Sequence, residues 1–410
     1  MRIIAIFLFF AQTVFAVPKL SLPSRCGALF SNSSLLATEG RSDDAEVGDA
    51  DFYLTSKFIA FDQRFEYTPF VIMPHSNLLA AQFRNKTQNV LVTMNLVDGS
   101  VQDEIKLGRS PFYQFQTSSD GSQLALLSKE RATIYEVNSS SLHLKKKVSI
   151  DLPSGKNFFR VSPNMKWLVA NDYLNREISV HPLVSSRFQF PSILGRLAKY
   201  MGGSEPTPAG ASIPDVAIEY KTIAFSPDGE SMVLPSKDHS SLFHVRLSDP
   251  SVPNVLPIFS TVSNFKVEAL AVSSKGLVAM LSKSNSGAFV VTLIDLDGHW
   301  VGTFAMASER GVFGGFDDHG AWRLRFSPNG EMLALMTNRG LYFYSLKENR
   351  FLKTSRGYKL ELSHQSSDSS VTTIYPPLEV SFLNDNETAF VEIAGGIFEV
   401  RLRYLSMSRR

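Results

Sequence analysis

The chain of 410 residues contains one cysteine, Cys26, so it can close no internal disulfide. It has almost no net charge, with 41 Lys and Arg against 39 Asp and Glu, which argues against nucleic acid or another polyanion as its main partner. Long hydrophobic runs are missing. The only unbroken apolar stretch of note, Ile3 to Phe10, falls well short of the ~20 residues a spanning helix needs, so no integral membrane segment is expected. Catalytic motifs are missing too: there is no Gly-x-Ser-x-Gly elbow, no phosphate loop and no dinucleotide fingerprint. The histidines at 75, 143, 181, 239, 244, 299, 319 and 364 form no paired metal motif. Asp295-Leu-Asp297-Gly298-His299 opens like a calcium loop, but Met306 stands where a bidentate Glu is required. An Asp-Gly hairpin turn accounts for the same residues. No cofactor and no metal are expected.

What the chain does have is a phrase repeated seven times. It reads Phe225-Ser226-Pro227-Asp228-Gly229 and Phe326-Ser327-Pro328-Asn329-Gly330 in its clearest copies. Weaker copies lie at Met73 to Ser76, Ser118 to Gly121, Ser162 to Asn164, Ser273 to Gly276 and Leu383 to Asn386. Aligned on residues 74, 119, 163, 227, 274, 328 and 384, the steps are 45, 44, 64, 47, 54 and 56. Each copy separates two strand-like segments, as Tyr220–Phe225 and Ser231–Leu234 show. Pro presets one turn dihedral, Asp or Asn bonds back to the backbone, and Gly accepts a positive φ. Third and fourth strand-like runs follow, so one repeat makes one four-stranded blade. The pattern predicts an all-β, seven-bladed β-propeller.

Through Ala224-Phe-Ser-Pro-Asp-Gly229 and Arg325-Phe-Ser-Pro-Asn-Gly330 the chain resembles the WD-repeat propeller family, over roughly residues 57–403. No repeat ends in Trp-Asp, so the likeness is to the WD-less bacterial type. The last repeat lacks a fourth strand, and Lys57 to Phe65 precedes the first repeat without a partner. That N-terminal segment is expected to complete the last blade and close the ring.

Met1-Arg2, the apolar run and Val14-Phe15-Ala16 fit a secretory signal peptide cut after Ala16. The expected organisation is a signal peptide at 1–16, a flexible leader at 17–51, the propeller at 52–405 and a basic tail at 406–410. Such a protein would be exported, to the periplasm or beyond, and monomeric.

Three connections are long: about 191–218, 307–320 and 363–377. Each is read as a link between successive blades, which would gather all three on one face. Ser192 to Met201 reads as a short amphipathic helix, with Ile193, Leu194, Leu197 and Met201 on one side. Arg196, Lys199 and Tyr200 in the first insertion, and Asp317, Asp318 and His319 in the second, are the candidate binding residues. The leading expectation is a non-catalytic scaffold that binds a protein or envelope component through this face. The alternative is a hydrolase or lactonase with its site in the central channel. For that role the first strands offer Arg160, Lys221, Arg323, Arg325 and Glu379, and three or more carboxylates or histidines converging at one mouth would favour it.

Overall fold

The computed structural model describes residues 35–36, 51–60, 66–73, 76–84, 89–96, 100–107, 114–138, 141–152, 158–172, 177–183, 211–213, 222–248, 254–257, 265–284, 289–306, 323–337, 340–353, 362–365, 372–375, 379–393 and 396–402. Seven four-stranded antiparallel sheets stand in chain order as the blades of a propeller. Blade one runs from inner to outer strand through Glu66–Met73, Leu78–Arg84, Asn89–Asn95 and Val101–Leu107. Blade five shows the same order in Phe265–Val272, Leu277–Ser284, Phe289–Asp295 and Trp300–Met306. The second strands are apolar and buried over stretches such as Leu78 to Ala81 and Met332 to Met336, because neighbouring blades cover both of their faces.

Successive blades share hydrophobic clusters. Ile134 and Ile150 of blade two pack with Phe159 and Leu168 of blade three. Val233 and Leu242 of blade four pack with Val267 and Met280 of blade five. Phe390 of blade seven joins Phe70 and Ile72 of blade one, which completes the circle.

The N-terminal strand closes the ring as expected. Phe52–Ala60 pairs with Gly396–Leu402 as the outer strand of blade seven, beside Thr388–Ile393 and Glu379–Phe382. It starts five residues earlier than the segment singled out in the sequence, and residues 61–65 lie outside the described residues. Phe52 is fully buried, edge-on to Phe343 of blade six at 5.0 Å between centroids.

The repeated phrase forms one turn geometry. Ser226 Oγ donates to Asp228 Oδ1 at 2.5 Å, and Asp228 Oδ1 also accepts Glu230 N at 3.0 Å. Ser231 N then donates to Ser226 Oγ at 3.0 Å. The same set recurs around Ser118 and Asp120, Ser162 and Asn164, and Ser327 and Asn329. Gly121, Gly229, Gly276 and Gly330 take positive φ between 64° and 75°. Where glycine is missing, Asn77, Met165 and Asn386 take the same left-handed conformation.

These turns also join blade to blade. Ser119 N donates to Pro163 O at 2.9 Å, Ser274 Oγ to Pro328 O at 2.7 Å, and Asn329 N to Asn386 Oδ1 at 2.9 Å. Lys166 pairs with Glu230 at 2.7 Å, and Lys275 with Glu331 at 3.2 Å. The phrase therefore builds a hydrogen-bonded collar on one face of the ring, here the turn face. Strands alternate in direction, so third-to-fourth connections also open on the turn face. Second-to-third connections and inter-blade links open on the opposite, link face.

This corrects the expectation of a single face for the three insertions. The outer strand of blade three is Ala211–Ile213, paired with Glu177–Pro182, and residues 184–210 join these two strands. That insertion belongs to the turn face. A step of 64 in the repeat reveals an insertion but not which connection holds it, and a three-residue strand is too short to register in a hydrophobic pattern. The other two are inter-blade links: one joins Trp300–Met306 to Arg323–Phe326, the other Arg350–Phe351 to Glu379–Phe382.

The second of these links carries structure of its own. Leu362–Gln365 and Thr372–Tyr375 form a hairpin, and Leu35–Leu36, within the segment read as a leader, pairs with Leu362–Gln365. The result is a three-stranded sheet additional to the seven blades.

Candidate functional site

The inner strands of all seven blades line a central channel of about 440 Å³. Its wall can be read in levels by counting back from the turn. Ser118, Ser162, Ser226, Ser273, Ser327 and Leu383 occupy equivalent positions, each donating its N–H across to the start of the second strand. Met73 holds that position in blade one, since Ser76 N returns to Met73 O as Gly121 N returns to Ser118 O. Two residues earlier, one level of the wall contains Val71, Gln116, Arg160, Ala224, Ala271, Arg325 and Ser381, in blade order.

Two side chains at this level are held by the following blade. Gln116 is tied to the next blade, its Oε1 accepting Val161 N at 2.5 Å. Arg160 leans onto blade four: Nη1 donates to Ile223 O, and the guanidinium stands 5.6 Å from the centroid of the Phe225 ring. Ala224 and Ala271, from blades four and five, are buried in the hydrophobic clusters that join blade four to five and blade five to six. Arg325 of blade six is exposed. Arg160 and Arg325 thus stand at one level of the wall, on blades three and six. Two residues further back, Arg323 stands at the same level as Glu379 of the next blade. Aromatic side chains, Phe70, Phe115, Phe225, Phe326 and Phe382, fill the wall between levels.

Of the sequence candidates for the channel, Arg160, Arg323 and Arg325 line it as expected. Lys221 lies outside the described residues. Among the described lining residues, none is Asp, Glu, His or Cys. Gln116, Ser381 and the two alanines were missed in the sequence. Counting back two positions from each turn would have found them. The candidate binding residues Arg196, Lys199, Tyr200, Asp317, Asp318 and His319 all lie outside the described residues, as do residues 1–16, Cys26 and the expected helix at 192–201.

The remaining titratable groups singled out in the sequence serve turns and packing. Asp295 Oδ1 accepts the N–H of Asp297 at 3.0 Å and of His299 at 2.8 Å, and Oδ2 lies 2.9 Å from His299 Nδ1. Gly298 completes this turn with φ 90°. Asp295, Asp297 and His299 therefore lie close together, but as the hairpin turn read from Asp297-Gly298. Backbone and side-chain hydrogen bonds from His299 hold the Asp295 carboxyl below its usual range. His244 is half-buried within Ser241–Arg246. Burial first, and the nearby Arg246 charge second, push its imidazole below the usual value.

No protein-family model matches the chain, and no curated protein does. Among solved structures, the chain is similar to the β-propeller domain of Cps50 (Swd1) from Myceliophteria thermophila. The likeness has a TM-score of 0.50 at 12% identity and covers 82% of this chain and 96% of the other. At that identity it establishes the fold, a β-propeller, and carries nothing about the site.

Proposed function

We propose that the protein is an exported, non-catalytic propeller scaffold that binds a protein or envelope component through its link face. The observation that carries this reading is the uneven distribution of chain around an otherwise regular ring. Two long inter-blade links open on the same face, and one of them builds a sheet with Leu35–Leu36 beyond the seven blades. Insertions on the loops of a rigid repeat platform are where binding specificity resides in such architectures, and the link face carries two of the three long connections. Asp317, Asp318 and His319 belong to the first of these links and are the contact residues of this reading. Among the described residues no helix is long and apolar enough to cross a membrane.

The test is affinity capture from the exported fraction of the native cell. The mature chain is compared with two variants in which 308–321 or 354–378 is replaced by a short Gly/Ser link. The expected result is a defined partner retained by the mature chain and lost from both shortened, folded variants. Identical capture by all three would remove the link face from the function. Export itself is checked by N-terminal sequencing, with Val17 expected as the first residue.

A further inference from the structure

We infer that the outer strand of blade five, Trp300–Met306, pairs antiparallel with the same strand of a second copy of this chain, joining two propellers rim to rim. The strand is the edge of its sheet, bonded to Phe289–Asp295 on one side. Asp295 N donates to His299 O, and the pairs Leu293 with Gly302 and Val291 with Phe304 follow at alternate positions along the ladder. These residues turn their backbone groups inward, so Thr303, between Gly302 and Phe304, turns its N–H and C=O outward. Among the described residues no strand pairs with that side. Of the three large apolar side chains exposed among the described residues, two stand here, Trp300 at 56% and Val301 at 53%.

Every blade has an outer edge, and edges are ordinarily guarded by charge, by brevity or by proline. Blade one's outer strand carries Asp103, Glu104 and Lys106, and blade two's carries Lys145, Lys146, Lys147 and Asp151. Those of blades three, four and six are two to four residues long, and blade seven's carries Lys57. Blade five's has seven residues and no charge. Charge therefore selects a second copy as the occupant, because two such strands meet with no like charges opposed. With Thr303 on a two-fold axis, all seven residues of each strand are paired and the contact is isologous. Gly302 then lies opposite Phe304 of the copy. A Cβ at Gly302 would meet nothing within 4 Å, and an aromatic side chain opposite an edge glycine covers its backbone. Phe304 is held in place by stacking on Tyr344 of blade six, 3.8 Å between centroids and 8° between planes. The rim of a ring is convex, so the two copies touch at this blade alone, a contact of the small, transient class. The chain is then not the monomer expected from the sequence. This inference goes beyond the link-face reading, and its variants leave both long links intact, so the two fail separately.

The experiment is sedimentation velocity on the mature chain over about 1 to 100 μM, the range of a small interface. A monomer that passes into a dimer as concentration rises is expected. Thr303→Lys and Thr303→Glu each set like charges against each other on the two-fold axis, and each alone should lose the dimer. An equimolar mixture of the two should regain it, a rescue that a merely structural effect of either substitution would not produce. Thr303→Cys in a Cys26→Ser chain should close an intermolecular disulfide under mild oxidation, since hydrogen-bonded antiparallel partners stand ~5.5 Å apart at Cα, within disulfide reach. A parent chain that stays monomeric at every concentration would overturn the inference and leave this edge to a strand from another protein. Dimers of Thr303→Lys as strong as the parent's, or a Thr303→Cys chain that does not cross-link, would overturn it as well.

Discussion

Arg350 grips Asp51 at two points across 299 residues of chain: Nη1 donates to Oδ2 at 2.7 Å and Nη2 to Oδ1 at 3.2 Å. The backbone adds to the pair, with Lys353 N donating to Asp51 Oδ2 and Asp51 N donating to Lys353 O, both at 2.8 Å. This clasp fixes the start of the closing strand of blade seven against the outer strand of blade six. A propeller seam is where opening would begin, since only there is a blade built from both ends of the chain. Asp51→Asn or Arg350→Ala is expected to lower stability by about 1 kcal/mol. That is discounted from the ~1.5–3 kcal/mol of a charged hydrogen bond because the Arg350 side chain is 39% exposed. Urea unfolding of the two single variants and the double variant measures it; additive losses would deny the coupling.

The clasp also sets a pH dependence. Burial raises the Asp51 pKa, but hydrogen bonds from Arg350 and from Lys353 N, with the charges of both residues, outweigh it, so the folded value lies below the ordinary 3.8. The carboxylate's contribution is therefore complete above 3.8 and is lost as the pH falls through the lower folded value. The stability gap between wild type and Asp51→Asn should be constant near neutrality and close in acid. A gap that instead narrows between neutral and mildly alkaline pH would assign the dependence to another group.

Phe52 tests the closing strand through packing rather than charge. It is fully buried and meets Phe343 edge-on at 5.0 Å. Phe52→Ala is expected to cost about 3–5 kcal/mol, since the cavity falls between two blades that cannot collapse independently. Deleting 51–60 should go further and expose the edge of Gly396–Leu402, with aggregation on mild heating. An unchanged melting temperature in either variant would place the strand outside the cooperative unit.

Much of this fold was legible because its turns tolerate few residues. Ser226, Asp228 and Gly229 each make a bond or take a φ that few others can, so the phrase survives seven times. Elements held only by pairing were not legible. Ala211–Ile213 and Arg350–Phe351 are too short for a pattern, and Leu35–Leu36 finds its partner in a link more than 300 residues away. The channel wall lay between these cases. Arg160 and Arg325 were visible as cations on first strands, while their common level and the intervening alanines emerge only when the turns set the register.

The glycines separate backbone strain from blade contact. Gly229 has φ +69°, and a Cβ there would stand 2.5 Å from Asn164 N of the preceding blade's turn. Gly276 has φ +75°, but its Cβ would meet only Leu296, with Cδ1 at 3.6 Å. Both Ala variants bear the left-handed cost of roughly 1–2 kcal/mol. Gly229→Ala must in addition push two blades apart, so it should melt clearly below Gly276→Ala. Gly302 lies in a strand, and a Cβ there would meet nothing within 4 Å. Gly302→Thr should therefore be neutral or stabilising by up to about 1 kcal/mol. Equal melting of the two turn variants would mean the collar does not couple the blades.

The 184–210 connection provides the sharpest test of which face binds. It joins Glu177–Pro182 to Ala211–Ile213 on the turn face, opposite the two long links. Blade five makes the same third-to-fourth connection with only residues 296–299, between Phe289–Asp295 and Trp300–Met306. The ring therefore does not need the extra length for geometry. Long connections are also inexpensive to hold, each doubling adding only about 0.6 kcal/mol of closure entropy. Replacing 185–208 with a four-residue Gly/Ser link, while keeping the outer strand Ala211–Ile213, is expected to leave both the melting temperature and partner capture close to those of the parent. Unfolding would make the insertion a cap on the core of blade three. A folded variant that has lost its partner would move the binding surface to the turn face, and with it the contact role to Arg196, Lys199 and Tyr200.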